Sequence, residues 1–228
     1  MAEASPDTNR CARRSSEEAQ TATDNDAGYS VIVLAGGLGM RLGGQDKATV
    51  LLDGIPLLSR VRLRLATLTD DMVIVLRADQ ELGSSLAQAV EGTTITRDLQ
   101  GYSGVLAGMA AGLEAERHEW SLIVACDMPF VQHTLIDHMW SLRGGYDVVV
   151  PRLTVGLEPL HAFYHKRCLT ALRSALARGQ RRVTGFYDGL NVRYVDEDDV
   201  SQYDPERLSF LNINTPDDLS RAQDLLAK

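Results

Sequence analysis

Short runs that are apolar at every position alternate along this chain with stretches whose apolar residues return every three or four positions. The first pattern suits a strand buried on both faces, and the second suits a helix with one buried stripe. VIVL at 31–34 is the first such run, and TVLL at 49–52 predicts a short strand before the turn Asp53-Gly54. Pro56 then stands where a first helical turn tolerates it, ahead of Leu57, Leu58, Val61, Leu65 and Leu68. Residues 72–76 predict a second core strand, 82–90 a helix and 93–97 a third strand. Residues 106–116 predict a small-residue helix able to lie close on a sheet, 121–126 another buried strand, 132–142 a helix and 146–150 a strand. Strands separated by helices imply right-handed crossovers. The prediction is therefore an α/β fold, a three-layer sandwich whose mostly parallel sheet carries helices on both faces.

Residues 1–28 break this pattern. They contain no Val, Ile, Leu, Phe or Trp and are rich in Ala, Ser, Thr and charge, a composition that cannot bury enough surface to fold. We read 1–28 as a disordered N-terminal extension and 29–228 as a single domain, with no internal repeat and no second linker.

Charge and cysteine content narrow the function. With 23 Lys and Arg against 31 Asp and Glu, the net charge of -8 argues against nucleic-acid or anionic-membrane binding, both of which want clustered surplus cations. Cys11, Cys126 and Cys168 lie too far apart for a disulfide framework or a zinc motif, so a reducing cytoplasm is the expected compartment. No apolar run approaches the roughly 20 residues of a spanning helix, and the N-terminus lacks the apolar core of a signal peptide.

The densest chemistry follows the first strand, in VIVLAGGLGMRLGGQDK at 31–47. Glycines at 36, 37, 39, 43 and 44 allow a backbone to approach an anion with its amides turned inward, and Arg41 and Lys47 add cationic charge. This predicts a phosphate-gripping loop. It is not the dinucleotide fingerprint, because Leu42 occupies the third glycine position, and no Gly-Lys-Ser/Thr completes a P-loop.

In a parallel α/β sheet ligands lie outside the carboxyl ends of the strands. Asp98 follows the strand at 93–97 and Asp127 follows LIVAC, so each carboxylate is either a binding group or a turn former. In the second half, GLEPLHAFYHKRCL places Glu158 and His161 on the approach to a strand, where a solvated edge and a packed imidazole are the alternative. A lone imidazole without ligand-spaced partners is a poor zinc site, and His133 and His138 do not share a helix face. Arg181 and Arg182 follow a helix end at Gly179 and offer planar forks matched to phosphate, or else a solvated basic corner. Thr215, Pro216 and Asp218 form a predicted helix start resembling a capping box. That does not explain Asn212 and Asn214, which are predicted to alternate on a short strand with one amide toward the cleft.

Three of these segments together resemble the molybdenum cofactor guanylyltransferases: LAGG-x-G-x-R-x-GG-x-DK at 34–47, DMPF at 127–130 and N-x-N-T-P-x-D-L at 212–219. A weaker match pairs Asp98 with Gly104, Leu106, Ala107 and Gly108, with Val105 where a proline is common. The resemblance covers about 31–222 and implies a Rossmann-like, nucleotide-diphospho-sugar transferase-like fold. It further implies transfer of GMP from GTP to the phosphate of molybdopterin, with pyrophosphate released. Leu34, Ala35, Gly36, Gly37, Gly39, Lys47, Asp98 and Asp127 would bind the nucleotide. Lys47, Arg41 and Asp127 would serve catalysis, and Asp127 would hold Mg2+, a hard cation suited to carboxylate and phosphate oxygens. Glu158, His161, Arg181, Arg182, Asn212 and Asn214 would meet the acceptor, the asparagines also lying by the metal. An asparagine common in the family near the end of the second core strand is absent, since Val75, Leu76 and Arg77 stand there, and no contact is carried to them. Molybdoenzymes or cofactor-insertion proteins are the macromolecular partners it suggests. Within the enzyme class, a cytidylyltransferase of the same cofactor or a sugar-1-phosphate nucleotidyltransferase fits the same motifs. A nucleotide- or pterin-binding assembly partner is the alternative outside it, against which Lys47, Asp127 and the two asparagines count.

Overall fold

The strands at the centre of the protein are apolar on both faces because both faces are covered. The computed structural model describes residues 28–39 and 43–227. Among them, in chain order, run β1 (Ser30–Leu34), β2 (Leu38–Gly39), β3 (Gln45–Asp46), β4 (Leu51–Leu52), β5 (Ile55–Pro56), β6 (Met72–Leu76), β7 (Thr94–Arg97), β8 (Trp120–Ala125), β9 (Val148–Leu153), β10 (Gly156–Leu157), β11 (His161–His165) and β12 (Val192–Asp196). The α-helices are α1 (Leu57–Leu65), α2 (Ser84–Ala89), α3 (Val105–Ala115), α4 (His133–Ser141), α5 (Cys168–Ala177), α6 (Glu197–Tyr203) and α7 (Pro216–Leu226). The predicted elements are all present, with ends shifted by a few residues. The exception is the strand expected at Asn212 and Asn214, where the backbone forms no ladder.

The main sheet has the order β10-β9-β11-β8-β1-β6-β7, with β12 alongside β9. β1 lies parallel between β6 and β8, β6 is parallel to β7, and β9 to β12. β11 enters antiparallel between β8 and β9, and β10 is antiparallel to β9. The sheet is therefore mixed and mostly parallel.

Alternation within each central strand divides the core. Val31, Val33, Ile74, Leu76, Leu122 and Val124 face one way and pack with Leu58, Val61 and Leu65 of α1 and Leu135, Ile136 and Met139 of α4. Ile32, Val73, Val75 and Ile123 face the other way, against Leu106, Met109 and Leu113 of α3 and Leu172 and Leu176 of α5. A Cβ built on Gly112 of α3 would come within 2.4 Å of Ile32 Cγ2, so only glycine lets that helix settle at its observed depth. A third cluster, Val50, Leu52, Leu57, Phe130, Ile213 and Ala222, ties α7 to the β4–β5 hairpin. Thr215 begins α7 with the expected capping box, its hydroxyl accepting from the Asp218 amide at 3.2 Å. No helix among the described residues is long and apolar enough to cross a membrane.

Candidate active site

Because β1, β6 and β8 run in the same direction, their carboxyl ends open on one side of the sheet. A cleft of about 430 Å³ lies there, lined by Leu34, Gly36 and Gly37 and by Lys47, Asp98, Asp127, Asn212 and Asn214. Arg41 lies outside the described residues.

The glycine-rich segment takes its shape from the strand it leaves. The Ala35 amide still donates to Val75 O at 2.8 Å, so this buried residue extends the ladder by one step. Gly36 then passes close to the end of β6: a Cβ there would meet the Arg77 nitrogen at 3.0 Å. Gly39 pairs with Gln45 in the two-residue ribbon of β2 and β3, closed by a Gly44 N–H bond to Gly39 O at 2.9 Å. Gly43 and Gly44 have φ of 79° and 76°, which other residues rarely adopt. The ribbon returns the chain, and the Lys47 amide donates to Gly37 O at 3.2 Å.

Lys47 ends up against the last residue of a distant strand turn. Its ammonium lies 2.5 Å from Asp127 Oδ2 and also donates to Asn214 Oδ1. Asp127 is held on both sides by its backbone: the preceding Cys126 amide donates to Leu34 O at 3.1 Å, and Asp127 O accepts from Ile213 at 2.9 Å. That last bond, with the fully buried Ile213 side chain, leaves the flanking Asn212 and Asn214 on the cleft. Both asparagines line it, where the predicted strand would have delivered one; a single anchored amide replaces the ladder.

A carboxylate and an amide oxygen thus already converge on one cation, the Lys47 ammonium. These hard oxygen donors fit Mg2+. No cluster of three His, Cys, Asp or Glu occurs among the described residues, but Mg2+ commonly takes one or two carboxylates and completes its shell with water and phosphate.

Asp98 also lines the cleft, following β7, its amide donating to Leu76 O at 3.0 Å. Burial raises its carboxyl above the usual carboxylate range, against the lowering influence of Arg77. Gly108 makes room for it, since a Cβ there would lie 3.1 Å from Asp98 Oδ1. Val75 and Arg77, to which the sequence assigned no contact, also line the cleft. Their signal was positional: both stand at the carboxyl end of a central strand.

Of the remaining expected acceptor residues, none lines the main cleft. Glu158 is half-buried, with its carboxyl raised by burial. His161 is fully buried, because β11 is an interior strand, and neither ring nitrogen has a hydrogen-bond partner among the described residues. Its ring packs edge-on against Phe210 at 5.2 Å, a core position rather than a cleft surface. Arg181 and Arg182 are exposed, and Arg181 borders a smaller cavity that shares Ser103, Gly104 and Val105 with the main cleft.

Residues 31–192 match the MobA-like NTP transferase domain. The chain belongs to that family. This nucleotidyltransferase is 38% identical to a molybdenum cofactor guanylyltransferase of Desulfosudis oleivorans, over 84% of its own length and 93% of the relative's. It is 32% identical to the molybdenum cofactor guanylyltransferase of Vibrio cholerae, over 84% and 90%. The crystal structure of molybdopterin-guanine dinucleotide biosynthesis protein A from Archaeoglobus fulgidus aligns with a TM-score of 0.75 at 31% identity, over 87% of this chain and 98% of that one. A 4-diphosphocytidyl-2C-methyl-D-erythritol synthase from Anaerococcus prevotii shares the fold, with a TM-score of 0.69 at 15% identity. The MobA-like match ends before Asn212 and Asn214, yet the fold brings Asn214 to the lysine of its glycine-rich loop.

Proposed function

We propose that this MobA-like enzyme transfers GMP from GTP to the terminal phosphate of molybdopterin, releasing pyrophosphate. The convergence of Lys47, Asp127 and Asn214 beside the Gly36–Gly37 segment carries the reading. An oxygen of the acceptor phosphate attacks the α-phosphorus, the bond from that phosphorus to the bridging oxygen of the β-phosphate breaks, and the electron pair leaves with pyrophosphate. The attacking phosphate is already an anion, so no side chain need become a nucleophile. Catalysis is then positioning plus charge neutralisation.

Gly36 and Gly37 bring backbone amides to the triphosphate. Lys47 takes up the charge that grows on the β- and γ-phosphates. Asp98, at the end of β7, meets the nucleoside. Asp127 with Asn214 would hold Mg2+, which supplies neutralising charge to phosphate oxygens when bound. On the acceptor side, Asn212 lines the cleft and exposed Arg181 borders the smaller cavity beside it, while Glu158, Arg182 and buried His161 line neither.

Purified protein with Mg2+ and molybdopterin, offered each of the four NTPs in turn, tests this through pyrophosphate release. GTP alone should support it. Release with CTP instead would make the enzyme a cytidylyltransferase of the cofactor. Binding of GTP without release under any of these conditions would favour an assembly partner.

A further inference from the structure

Arg77 makes more contacts with the nucleotide loop than any sequence motif suggests. Its Nη1 donates to Gly36 O at 3.1 Å and to Asp46 Oδ1 at 3.3 Å, so one nitrogen joins both arms of the glycine-rich excursion. Its Nε donates to Asp79 Oδ1 at 2.5 Å, which fixes the plane of the guanidinium. Buried Gln80 completes the seat. It accepts from the Arg77 amide at 3.0 Å and donates to Ala35 O at 3.2 Å.

Two consecutive carbonyls of the loop, those of Ala35 and Gly36, are thereby held by side chains from the end of β6. In a trans peptide the N–H points opposite to the C=O. Fixing these carbonyls aims the Gly36 and Gly37 amides away from Arg77 and Gln80. Neither amide donates a backbone hydrogen bond among the described residues, so both are available to an anion. The other end of the latch, Asp46, directly precedes Lys47.

We propose that Arg77 is a positioning residue for the triphosphate: it latches Gly36 to Asp46 and so sets the loop amides and Lys47 in binding geometry. The inference rests on the reading of GTP as substrate. A guanidinium suits this role because it bonds several oxygens in one plane, whereas an ammonium is a point charge.

The test is a double-mutant cycle on the full chain with Arg77→Met, Asp46→Asn and both together, read by calorimetric GTP affinity and by steady-state kinetics. Arg77→Met should weaken GTP binding and raise KM for GTP about tenfold, the scale of one charge-assisted bond, while KM for molybdopterin stays unchanged. Asp46→Asn should reproduce part of that loss, and the double variant should lose less than the product of the single effects. Arg77→Lys should recover only part of the affinity. A merely structural arginine would lower melting temperature without this split between the two KM values, and that result overturns the proposal. Additive losses, or full affinity in Arg77→Met, overturn it equally while leaving the GTP reading intact. Absence of GTP binding by the unaltered protein would overturn both.

Discussion

The Lys47 ammonium and the Asp127 carboxylate lie 2.5 Å apart across 80 residues of sequence, partly buried, and the ammonium also donates to Asn214. A lysine held in this way is pre-placed for a phosphate entering the cleft. If it stabilises charge that grows as the α–β bond breaks, Lys47→Met lowers kcat more than it weakens GTP binding. Removing one such contact commonly costs about 3 kcal/mol, or roughly a hundredfold in rate. Single-turnover rates beside equilibrium GTP affinity separate the two effects, and an unchanged kcat would refute the role.

Asp127→Asn keeps the shape of the side chain and the backbone bond to Ile213, while removing the charge. Turnover should fall at least about a hundredfold with the far-ultraviolet spectrum preserved. Weakened Mg2+ binding, measured by calorimetry in the presence of GTP, should accompany the loss. A variant with near-normal rates would remove Asp127 from the mechanism.

Two glycines of α3 should behave differently when given a methyl group. In an exposed helix, Gly→Ala gains roughly 1 kcal/mol. At Gly112 the new Cβ would sit 2.4 Å from Ile32 Cγ2, and overpacking costs about 1–3 kcal/mol, so Gly112→Ala should melt lower. At Gly108 the nearest atom is Asp98 Oδ1 at 3.1 Å, a side chain that can turn aside. Gly108→Ala should therefore keep its stability and raise KM for GTP several-fold, roughly the cost of a weakened hydrogen bond. Equal effects of the two substitutions on melting and on KM would contradict this division.

Stability should depend on pH through two buried groups acting in opposite directions. Burial lowers the His161 pKa to about 4 from an ordinary 6.5. The unfolded chain therefore takes up a proton first, and the contribution, complete above pH 6.5, is lost as pH falls toward 4; the span corresponds to about 3 kcal/mol. Burial raises the Glu116 carboxyl to about 8 from 4.5, and neither of its oxygens has a hydrogen-bond partner among the described residues. Its contribution is complete below pH 4.5 and is lost as pH rises through 8. Glu116→Gln should gain in melting temperature over the parent protein as pH goes from 4.5 to 8, and His161→Phe should flatten the acid limb. Thermal melts at half-unit pH steps would show either slope missing.

Much of the site was legible because its parts are local. The glycines at 43 and 44 need their left-handed backbone wherever the chain goes, and a carboxylate directly after a run such as LIVAC can be placed at a strand end from the sequence alone. The capping box at Thr215 closes within four residues and formed as expected. What escaped depends on long-range pairing. An apolar run states that a strand is buried but not its direction, so antiparallel β11 could not be told from a parallel neighbour, and His161 looked like a cleft residue although an interior strand buries it. Asn212 and Asn214 alternate as strand residues would, but a single bond from Ile213 to Asp127 O leaves both on the cleft without a ladder. Arg77 escaped because its partners, Gly36 and Asp46, lie 41 and 31 residues away.

That bond from the Ile213 amide to Asp127 O also bears on when the enzyme becomes active during synthesis. Every strand of the main sheet is made by Asp196, so the residues of the sheet, the glycine-rich loop and the Asp127 turn all precede the segment that carries Ile213. Asn214 reaches Lys47 only after Ile213 has emerged and docked. A chain that ended shortly after Asp196 would lack Asn214, the second partner of the Lys47 ammonium, and with it the Ile213 and Ala222 side chains that close the cluster around the β4–β5 hairpin.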